Sequence, residues 1–422
     1  MPEKRPRLSA QGRKVERQFC TMQLIYGFVW ASTTFFTVFL KSTGMSPQQV
    51  GLCMSLNSLA GVLAPPIWGL IADKLGSRKR LWLWLLVVSG AGFALIPASG
   101  SVNIAGITLV TFVLPAVTFV RQPTNSILDT MIVSTAEQYE GMSYSSIRRW
   151  SSLGFALLSP VYGWLIPVWG IGFPFYMFLF FSLLTAWLGR KLPDVSQSEP
   201  AMPQRAEAPG HALHVSRIFK DYYLVVFLIF NVLLSFGSQT YFFLNYLIEE
   251  LNGNAESLMG IMSGLKTIVE ITMLSLSPVL ARRLSLPQML CLSGLFYGSE
   301  QILYLFGHSI GYLFAVQMLN GAGFGMLLGS AVDYAYSLAP KGLETTVTSL
   351  YGAGMGIAGI IANAFAGWAI ATLGVRWMYG MTGVLIFTAI ALFICSFPFG
   401  KHVLKKQPPT ELFGHRCSSP PF

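Results

Sequence analysis

The sequence predicts an all-α membrane protein in which twelve membrane-spanning helices form two similar six-helix bundles. Three observations support this: the composition, the recurrence of long apolar segments, and a likeness between the two halves of the chain. Charged residues make up 11% of the 422 residues, and the mean hydropathy is +0.57. Soluble globular proteins carry roughly 25% charged residues. The composition therefore favours a protein embedded in lipid.

Apolar segments long enough to cross a bilayer recur along the chain. A spanning helix needs about 20 mainly apolar residues. The first six predicted spans lie at 20–40, 48–72, 80–98, 105–134, 149–168 and 171–189. The second six lie at 222–247, 256–281, 287–306, 310–337, 345–372 and 377–398. The predicted organisation is a tail (1–19), a first bundle (20–190), a polar linker (191–219), a second bundle (220–398) and a tail (399–422).

The distribution of basic residues predicts the orientation of the chain. The net charge is +10, and the basic residues cluster beside the apolar segments. Because cytoplasmic loops are enriched in Lys and Arg, we expect both termini and the linker in the cytoplasm. Only Lys41 and Arg376 then remain as basic residues on the outer connections. The first apolar segment has no cleavage site after it and is interpreted as a retained helix, and no nucleic-acid partner is expected.

The two halves of the chain carry similar sequence at corresponding positions. Gly69-Leu-Ile-Ala-Asp-Lys-Leu-Gly76 ends the second span, and Pro278-Val-Leu-Ala-Arg-Arg-Leu-Ser285 ends the eighth. Parallel repeats of this kind predict two bundles that face each other across a central cavity. Chance similarity between glycine-rich apolar segments is the alternative explanation.

Six ionisable side chains fall inside predicted spans. A charged side chain at the centre of a spanning helix costs about 2.5–3.5 kcal/mol on insertion scales unless a partner or water meets it. We expect these charges to mark the path of a solute, although pairs could simply neutralise one another. They are Arg121, Asp129, Lys266, Glu270, Glu300 and Asp333.

The spacing of these charges suggests roles. Arg121, Asn125 and Asp129 are four residues apart and are predicted to share one helix face, and Lys266 and Glu270 have the same spacing.

Glu300 has no basic residue on its own helix. Burial without a partner favours the neutral, protonated form of a carboxyl group. Glu300 is therefore the first candidate for a proton-coupling site, followed by Glu270 and Asp333. Alternatively, Glu300 lies near the outer water, and Asp333, seven residues before Pro340, lies at the inner mouth.

Polar and aromatic side chains on other spans extend the candidate substrate site. The seventh span carries a polar face of Asn231, Ser235, Ser238 and Asn245, which indicates either a cavity or helix packing through small polar residues. The further candidates for substrate contact are Tyr26, Trp30, Gln239, Tyr241, Gln317 and Asn320. Aromatic and amide groups suit a polar solute that contains a ring.

The loop from Gly69 to Arg80 resembles the signature loop between helices two and three of the major facilitator superfamily. The resemblance implies the major facilitator fold. It also implies a conformational gate in which Gly69, Asp73, Gly76 and Arg78 hold the inner ends of two helices together.

A second stretch, Tyr144 to Phe155, resembles the start of helix five in the lactose-permease and nucleoside–proton symporter branch. The resemblance implies that Arg148 binds substrate and pairs with Asp129, and that Phe155 stacks on a sugar. Elsewhere the chain departs from this branch. The coupling histidine of the branch falls on Asn320, and its arginine falls on Glu300, so the proton relay of the lactose permease does not transfer.

Together these features predict a secondary active transporter of a small polar organic solute, such as a sugar or nucleoside, working by alternating access with proton symport. An organic-anion exchanger or drug–proton antiporter is the alternative, because Ser159-Pro160-Val-Tyr-Gly163 partly resembles an antiporter motif. A solute sensor without transport is more remote. We expect no enzyme activity, cofactor or metal, and a monomer in the cytoplasmic (inner) membrane of a bacterium.

Overall fold

The structure, a computed structural model, describes residues 9–75, 77–104, 106–139, 142–192, 220–340 and 343–407. Helices account for nearly all of these residues, which confirms the all-α prediction. The described part contains one strand pair, in which Asn103–Ile104 (β1) and Ile107–Thr108 (β2) are antiparallel around Gly106 at φ +83°. The contacts between Cα atoms divide the chain into two compact units.

The helices of the first half have the following bounds. They are α1 (Ala10–Ala31), α2 (Phe36–Ser42), α3 (Pro47–Leu75), α4 (Arg78–Gly100), α5 (Val110–Arg121), α6 (Pro123–Gln138), α7 (Tyr144–Trp169) and α8 (Phe173–Gly189). A 3₁₀ turn, Ser32–Phe35, joins α1 to α2 into one long helical segment, which we call a rod. The helices α5 and α6, separated only by Gln122, form another rod. Among the residues that the structure describes, the first half therefore forms six rods, in agreement with the six predicted spans.

The helices of the second half follow the same plan. They are α9 (Tyr222–Thr240), α10 (Leu244–Glu250), α11 (Ala255–Leu280), α12 (Leu286–Leu305), α13 (Ile310–Leu328), α14 (Ala331–Leu338), α15 (Glu344–Leu373) and α16 (Val375–His402). A 3₁₀ turn, Tyr241–Phe243, joins α9 to α10, and α14 follows α13 after two residues. The described residues of this half also form six rods.

The length and apolar composition of these rods agree with a multi-pass membrane protein. Within the described residues, nine helical stretches are long and apolar enough to span a bilayer, and Phe173–Gly189 is a shorter apolar helix. The two remaining rods correspond to the fourth and ninth predicted spans. The fourth is interrupted at Gln122, and the ninth carries Glu300 and Gln301 among its apolar residues.

Several boundaries differ from the sequence prediction; α7 begins at Tyr144 instead of 149, and α16 runs to His402, inside the segment predicted as the C-terminal tail. The first helix begins at Ala10, inside the segment predicted as a tail, because Ser9 caps it by accepting a hydrogen bond from the Gly12 amide at 3.0 Å. The fourth span begins at Val110 instead of residue 105, because the β1–β2 hairpin occupies the preceding residues. The predicted linker lies outside the described residues from 193 to 219.

The interruption of the fourth span is a consequence of Pro123. Proline has no backbone N–H, so the carbonyl of Phe119 loses the donor four residues ahead. The indole of Trp68 on α3 supplies the missing donor at 3.0 Å. The hydroxyl of Thr124 also donates to the carbonyl of Arg121, at 2.6 Å. The kink is thus fully hydrogen-bonded at the two carbonyls that border it, and it ends α5 at Arg121.

The first unit is defined by a close crossing of α1 and α7. Gly27 and Gly154 face each other across this crossing, and an added Cβ on Gly154 would overlap the carbonyl oxygen of Leu24. Small residues at such crossings let two membrane helices approach closely. The first unit, 1–206 with 254–264, also includes the start of α11, where Gly260 packs on Gly163.

We expect Gly154→Ala to lower the stability of the protein. The new methyl group cannot be accommodated by a side-chain rotation, because the obstructing atom belongs to the backbone, and overpacking of this kind costs about 1–3 kcal/mol. The midpoint of thermal unfolding should fall. Gly61→Ala is the matched control, since its Cβ would meet only the Gln122 side chain, at 3.9 Å. Equal midpoints for the two variants would contradict the close crossing.

Candidate functional site

Arg121 is a buried cation at the end of α5, where the Pro123 kink places it beside α1. Its guanidinium carbon lies 4.1 Å from the centre of the Trp30 ring, in cation–π contact. Nη2 donates to the side-chain oxygen of Gln122 at 3.3 Å, whereas Nε and Nη1 donate to no acceptor. Buried donors are almost always satisfied, so these two N–H groups are unusual in finding no acceptor among the described residues.

Tyr26 fixes the position of this cation. Its hydroxyl lies 2.7 Å from that of Thr124, immediately after the kink, and its ring packs edge-on against Trp30. The indole of Trp82 donates to the Thr124 carbonyl at 2.9 Å. Three of the predicted substrate residues, Tyr26, Trp30 and Arg121, are therefore brought together on α1 and α5.

Gln23, on the same helix as Tyr26 and Trp30, is a further candidate for substrate contact that the sequence analysis does not include. It is fully buried on α1, three residues before Tyr26, and neither atom of its amide group makes a hydrogen bond. An unsatisfied buried amide is costly. The available signal was its helical spacing, since residues three apart share one face of a helix.

Asp129 and Arg148 form an ion pair between α6 and α7. Their closest side-chain atoms are 3.7 Å apart, and both side chains are partly exposed, 24% for Asp129 and 35% for Arg148. Asn125 donates to the other carboxylate oxygen at 3.3 Å. The pairing implied by the resemblance is therefore present. Phe155 lies partly buried on α7, seven residues after Arg148.

The predicted common face of Arg121 and Asp129 is divided between two groups of partners. Arg121 contacts Trp30, and Asp129 pairs with Arg148. A common face for Arg121 and Asp129 requires one unbroken helix, whereas α5 ends at Arg121 and α6 begins at Pro123. Within the part of the chain that the structure describes, Arg121 therefore makes no ion pair, whereas Asp129 and Arg148 balance each other's charge.

We expect Arg148→Ala to weaken substrate binding with little change in the amount of folded protein. The exposed part of the guanidinium is available to a solute, and a hydrogen bond to a charged group contributes about 1.5–3 kcal/mol. Binding can be measured by calorimetry on the purified protein.

The matched control for this variant is a double-mutant cycle with Asp129→Asn. If Arg148→Ala acts only by leaving Asp129 unpaired, the double variant will regain wild-type affinity, and the contact between Arg148 and substrate is then refuted.

Glu300 is the central acidic group of the second unit. It is fully buried on α12, and both carboxylate oxygens accept hydrogen bonds from the side-chain amide of Asn320 on α13, at 3.0 and 2.9 Å. The expectation that Glu300 has no partner is wrong, because its partner lies on a neighbouring helix. Its full burial shows that the carboxylate does not contact bulk solvent, while its depth in the bilayer stays a prediction.

Lys266 places a positive charge near this carboxylate. Its ammonium lies 4.3 Å from the centre of the Tyr241 ring and 5.5 Å from that of Phe324. Both Glu270, four residues along α11, and Glu300 interact electrostatically with it. Lys266 and these two carboxylates together carry no net charge when one of the carboxylates holds a proton.

Two amides near this acidic group have unused hydrogen-bonding capacity. Asn320 is fully buried, and its side-chain oxygen accepts no hydrogen bond. Gln317, one turn earlier on α13, accepts a hydrogen bond from the Tyr304 hydroxyl, while its amide nitrogen donates to nothing. Both were predicted as substrate contacts, and both lie on α13.

The polar face of the seventh span is divided between packing and unsatisfied groups. Asn231 donates to the Tyr351 carbonyl on α15 at 3.1 Å, and the hydroxyls of Ser235 and Ser238 donate to carbonyls of α9 itself. Asn245 on α10 is fully buried, and both atoms of its amide lack a hydrogen bond. Of these three side chains, Asn231 therefore bonds to another helix, while its side-chain oxygen accepts no hydrogen bond. Gln239, two residues before Tyr241, is partly buried.

Asp333 and the loop between α3 and α4 complete the set of predicted site residues. Asp333 is exposed in the first turn of α14. At Gly69 an added Cβ would meet nothing within 4 Å, so this glycine is not part of a close helix contact. Arg78 begins α4 after the capping residue Ser77. Asp73 lies in α3 with a side chain that is not described, and Gly76 lies outside the described residues.

Comparisons with known proteins agree with this architecture. The model of the MFS_1 like family matches residues 20–401. The chain is 26% identical to the maltose permease of Geobacillus stearothermophilus over 83% of its own length and 84% of the permease. It is 24% identical to a putative sugar efflux transporter of Deinococcus radiodurans, covering 78% of this chain and 84% of that protein. A crystal structure of nucleoside transporter NupG superposes with a TM-score of 0.75 at 16% identity, covering 91% of this chain and 99% of NupG, which shows the fold alone.

Proposed function

The chain belongs to the MFS_1 like family of major facilitator transporters, and from that membership we propose that it carries a small sugar-like or nucleoside-like solute across the membrane by proton-coupled symport. The transport of small solutes and the absence of enzymatic chemistry follow from the family. The proposal concerns the class of solute, the ion that drives its transport, and the residues that bind the solute and the ion. Its main support is the set of buried polar side chains that lack hydrogen-bond partners in both units.

In the first unit, the proposed solute contacts are those around Arg121. Its two unused N–H groups suit hydroxyl or carbonyl oxygens, and the adjoining Trp30 offers an aromatic face to a ring. Gln23 adds an amide with both a donor and an acceptor unused. We assign Arg148 and Phe155 a supporting role in binding, since Arg148 already holds Asp129.

In the second unit, the proposed proton site is Glu300. With Lys266 charged and both nearby carboxylates ionised, the group has a net charge of −1; one proton makes it neutral. A neutral group is far less costly than a charged one in apolar surroundings. Proton binding at Glu300 would therefore favour the movement that exposes the site to the other side of the membrane, as alternating access requires. Glu270 is the second candidate.

The names of the curated relatives direct the choice of the first substrate. Both a maltose permease and a putative sugar efflux transporter match most of the chain. Sugars present several hydroxyl groups on a ring, which suits the unused amide and guanidinium groups together with an aromatic face. We therefore propose maltose and related sugars as the first solutes to test, with uridine as the nucleoside comparison.

The test uses purified protein in liposomes loaded with buffer only. An inward proton gradient should drive the accumulation of radiolabelled maltose above its external concentration, and a protonophore should abolish this accumulation. Uridine and a disaccharide without structural likeness to maltose serve as comparisons. Equal uptake with and without the gradient would refute symport, and no uptake of any tested sugar or nucleoside would refute the solute class.

An exchanger or proton antiporter is the second candidate. The named efflux relative and the unused donors of Arg121, which also suit an anionic group, favour it. The antiporter-like segment argues less strongly, because Gly163 packs against the backbone of Ser257 within the first unit. An exchanger would show uptake only into liposomes preloaded with a countersubstrate, and an antiporter would be driven by an outward proton gradient.

The loop with Arg78 is proposed as the conformational gate, together with Asp73, Gly69 and Gly76. The support is its position between the end of α3 and the capped start of α4. We further propose that both termini lie in the cytoplasm, as the distribution of basic residues predicts, and that the protein works as a monomer in the inner membrane.

A further inference from the structure

The side chains of α12 and α13 are joined by two hydrogen-bonded pairs about one helical turn apart. Asn320 donates through Nδ2 to both carboxylate oxygens of Glu300, at 3.0 and 2.9 Å. The Tyr304 hydroxyl donates to the side-chain oxygen of Gln317. On each helix the two residues are three or four apart, so they share one face of that helix. All four side chains are fully buried, so the two helices meet through a polar strip that has no contact with bulk solvent.

The backbone around Asn320 is held by packing on two sides. A Cβ added to Gly321 would overlap the carbonyl oxygen of Lys266, so the backbones of α13 and α11 are in direct contact at the next residue. On the other side, the Ser293 hydroxyl of α12 donates to the Gly323 carbonyl at 2.7 Å. Close packing of this kind resists displacement, because a shift of α13 would force atoms together on one side. A chemical change at the neighbouring carboxylate is therefore met by the side chain of Asn320.

The hydrogen bonds of Asn320 fit an ionised carboxylate but leave the acceptor of the amide unused. An ionised carboxylate only accepts hydrogen bonds, and Nδ2 of Asn320 supplies a donor to both oxygens of Glu300. The side-chain oxygen of Asn320 accepts no hydrogen bond from the residues that the structure describes. Most buried side-chain oxygens do accept one. The unused oxygen is therefore the feature of this pair that an ionised Glu300 does not explain.

Protonation of Glu300 changes what its carboxyl group requires. A protonated carboxyl has one O–H donor and keeps its carbonyl oxygen as an acceptor. The amide of Asn320 offers the complement, an acceptor oxygen beside a donor nitrogen. A small rotation of this side chain brings both atoms opposite the two carboxyl oxygens. The O–H group can then donate to Oδ1 while Nδ2 donates to the other oxygen, so the acid and the amide are joined by two hydrogen bonds.

Two other amides near Glu300 do not have an open acceptor. The side-chain oxygen of Gln301 accepts from the Thr240 hydroxyl at 3.0 Å, and that of Gln317 accepts from Tyr304. An ammonium only donates, and an ionised carboxylate only accepts. The described titratable groups that interact electrostatically with Glu300 or with its immediate neighbours are Lys266 and Glu270 on α11, Tyr297 and Tyr304 on α12, Tyr379 on α16, and Tyr241 in the turn after α9.

Resting on the proposed role of Glu300 as the proton site, we propose that Asn320 is a positioning residue that exchanges hydrogen bonds when Glu300 binds a proton. With the carboxylate ionised, Nδ2 donates to both oxygens. When a proton binds to one carboxylate oxygen, the new O–H donates to Oδ1, and Nδ2 keeps its bond to the other oxygen. The proton stays on Glu300, and no covalent bond of Asn320 changes. The carboxyl group is thus hydrogen-bonded in both states, which avoids the cost of a buried unsatisfied donor.

The test is infrared difference spectroscopy of the full chain in liposomes, between alkaline and acidic buffer. A carboxyl group shows its C=O stretching band only when protonated, and hydrogen bonds move this band to lower frequency. The band that is lost in Glu300→Gln belongs to Glu300. We expect Asn320→Leu, which has a similar shape but no polar side-chain atom, to shift this band to higher frequency.

Two further samples separate the exchange of hydrogen bonds from a general effect on packing. Asn245→Leu is the matched control, since it removes another fully buried amide of the same unit and should leave the Glu300 band in place. Wild-type protein made with asparagine that carries a heavy carbon isotope at the side-chain carbonyl reports on Oδ1 directly. Its labelled amide band should move to lower frequency when Glu300 is protonated, and this change should be absent in labelled Glu300→Gln. The labelled wild type needs no substitution at Asn320, so it tests the proposal even if Asn320→Leu does not fold.

Each contrary result has a distinct meaning. A Glu300 band at the same frequency in the wild type and Asn320→Leu, or a labelled amide band that does not respond to protonation, would overturn the proposal and leave Glu300 as the proton site. An equal shift in Asn245→Leu would also overturn it, because the effect would then not be specific to Asn320. If no carboxyl band is lost in Glu300→Gln, Glu300 does not bind a proton, and the proposed proton site fails together with this inference.

Discussion

Replacing Glu300 by glutamine is expected to abolish proton-driven accumulation of solute while exchange of solute across the membrane continues. Glutamine has nearly the same shape as glutamate but cannot bind and release a proton. Its amide can also donate to the side-chain oxygen of Asn320, which accepts no hydrogen bond in the structure. The fold around α12 should therefore tolerate the change, and the group with Lys266 becomes permanently charge-balanced.

The measurement compares two assays on the same liposomes. Accumulation under an inward proton gradient should fall to the level reached with a protonophore, and exchange into liposomes preloaded with unlabelled solute should stay within a few-fold of the wild type. Glu249→Gln, the same chemical change at an exposed carboxylate on α10, is the control and should keep its accumulation. Undiminished accumulation in Glu300→Gln would exclude Glu300 as the coupling residue.

Glu270→Gln distinguishes the two carboxylates that flank Lys266. If the proton resides on Glu300, this second variant removes a charge without removing the proton site, so accumulation should be reduced but still depend on the gradient. Loss of gradient dependence in Glu270→Gln together with normal coupling in Glu300→Gln would transfer the role to Glu270.

The long helices of this fold could be predicted from the sequence because each depends on local composition. About 20 apolar residues form a spanning helix regardless of their distant neighbours, since lipid leaves the backbone no other partner. The end of α5 and the start of α1 differ from the prediction, and both differences have local causes. Pro123 lacks the N–H that would continue α5, and the Ser9 cap lengthens α1 at its start.

The partners of the buried charges were harder to predict, because they lie on other helices. Asn320 is 20 residues from Glu300 along the chain, and Trp30 is far from Arg121. Spacing along one helix cannot reveal such pairs, so the sequence predicts no partner for Glu300. The exception is Asp129 with Arg148, which was found only through the resemblance of the Tyr144–Phe155 stretch to a known branch.

Replacing Arg121 by glutamine is expected to weaken the binding of solute by about 10- to 100-fold. The change removes two N–H donors that have no protein acceptor, at about 1.5–3 kcal/mol for a hydrogen bond to a charged group. It also removes the cation–π contact with Trp30. Because the charge is buried and its donors are only partly satisfied, the variant should be at least as stable as the wild type in the absence of solute. A binding isotherm and a thermal unfolding curve, measured on the same preparation, test both statements.

Arg190→Gln provides the control, since this exposed arginine carries the same charge on the same half of the chain. Arg121→Lys separates charge from geometry, because lysine keeps the positive charge but lacks the planar fork of donors. If a solute hydroxyl or carbonyl group is held by Nε and Nη1 together, the lysine variant should bind nearly as weakly as the glutamine variant. Wild-type affinity in Arg121→Gln would mean that the unused donors face something other than the solute, and the argument from buried unsatisfied groups to a binding site would then fail in the first unit.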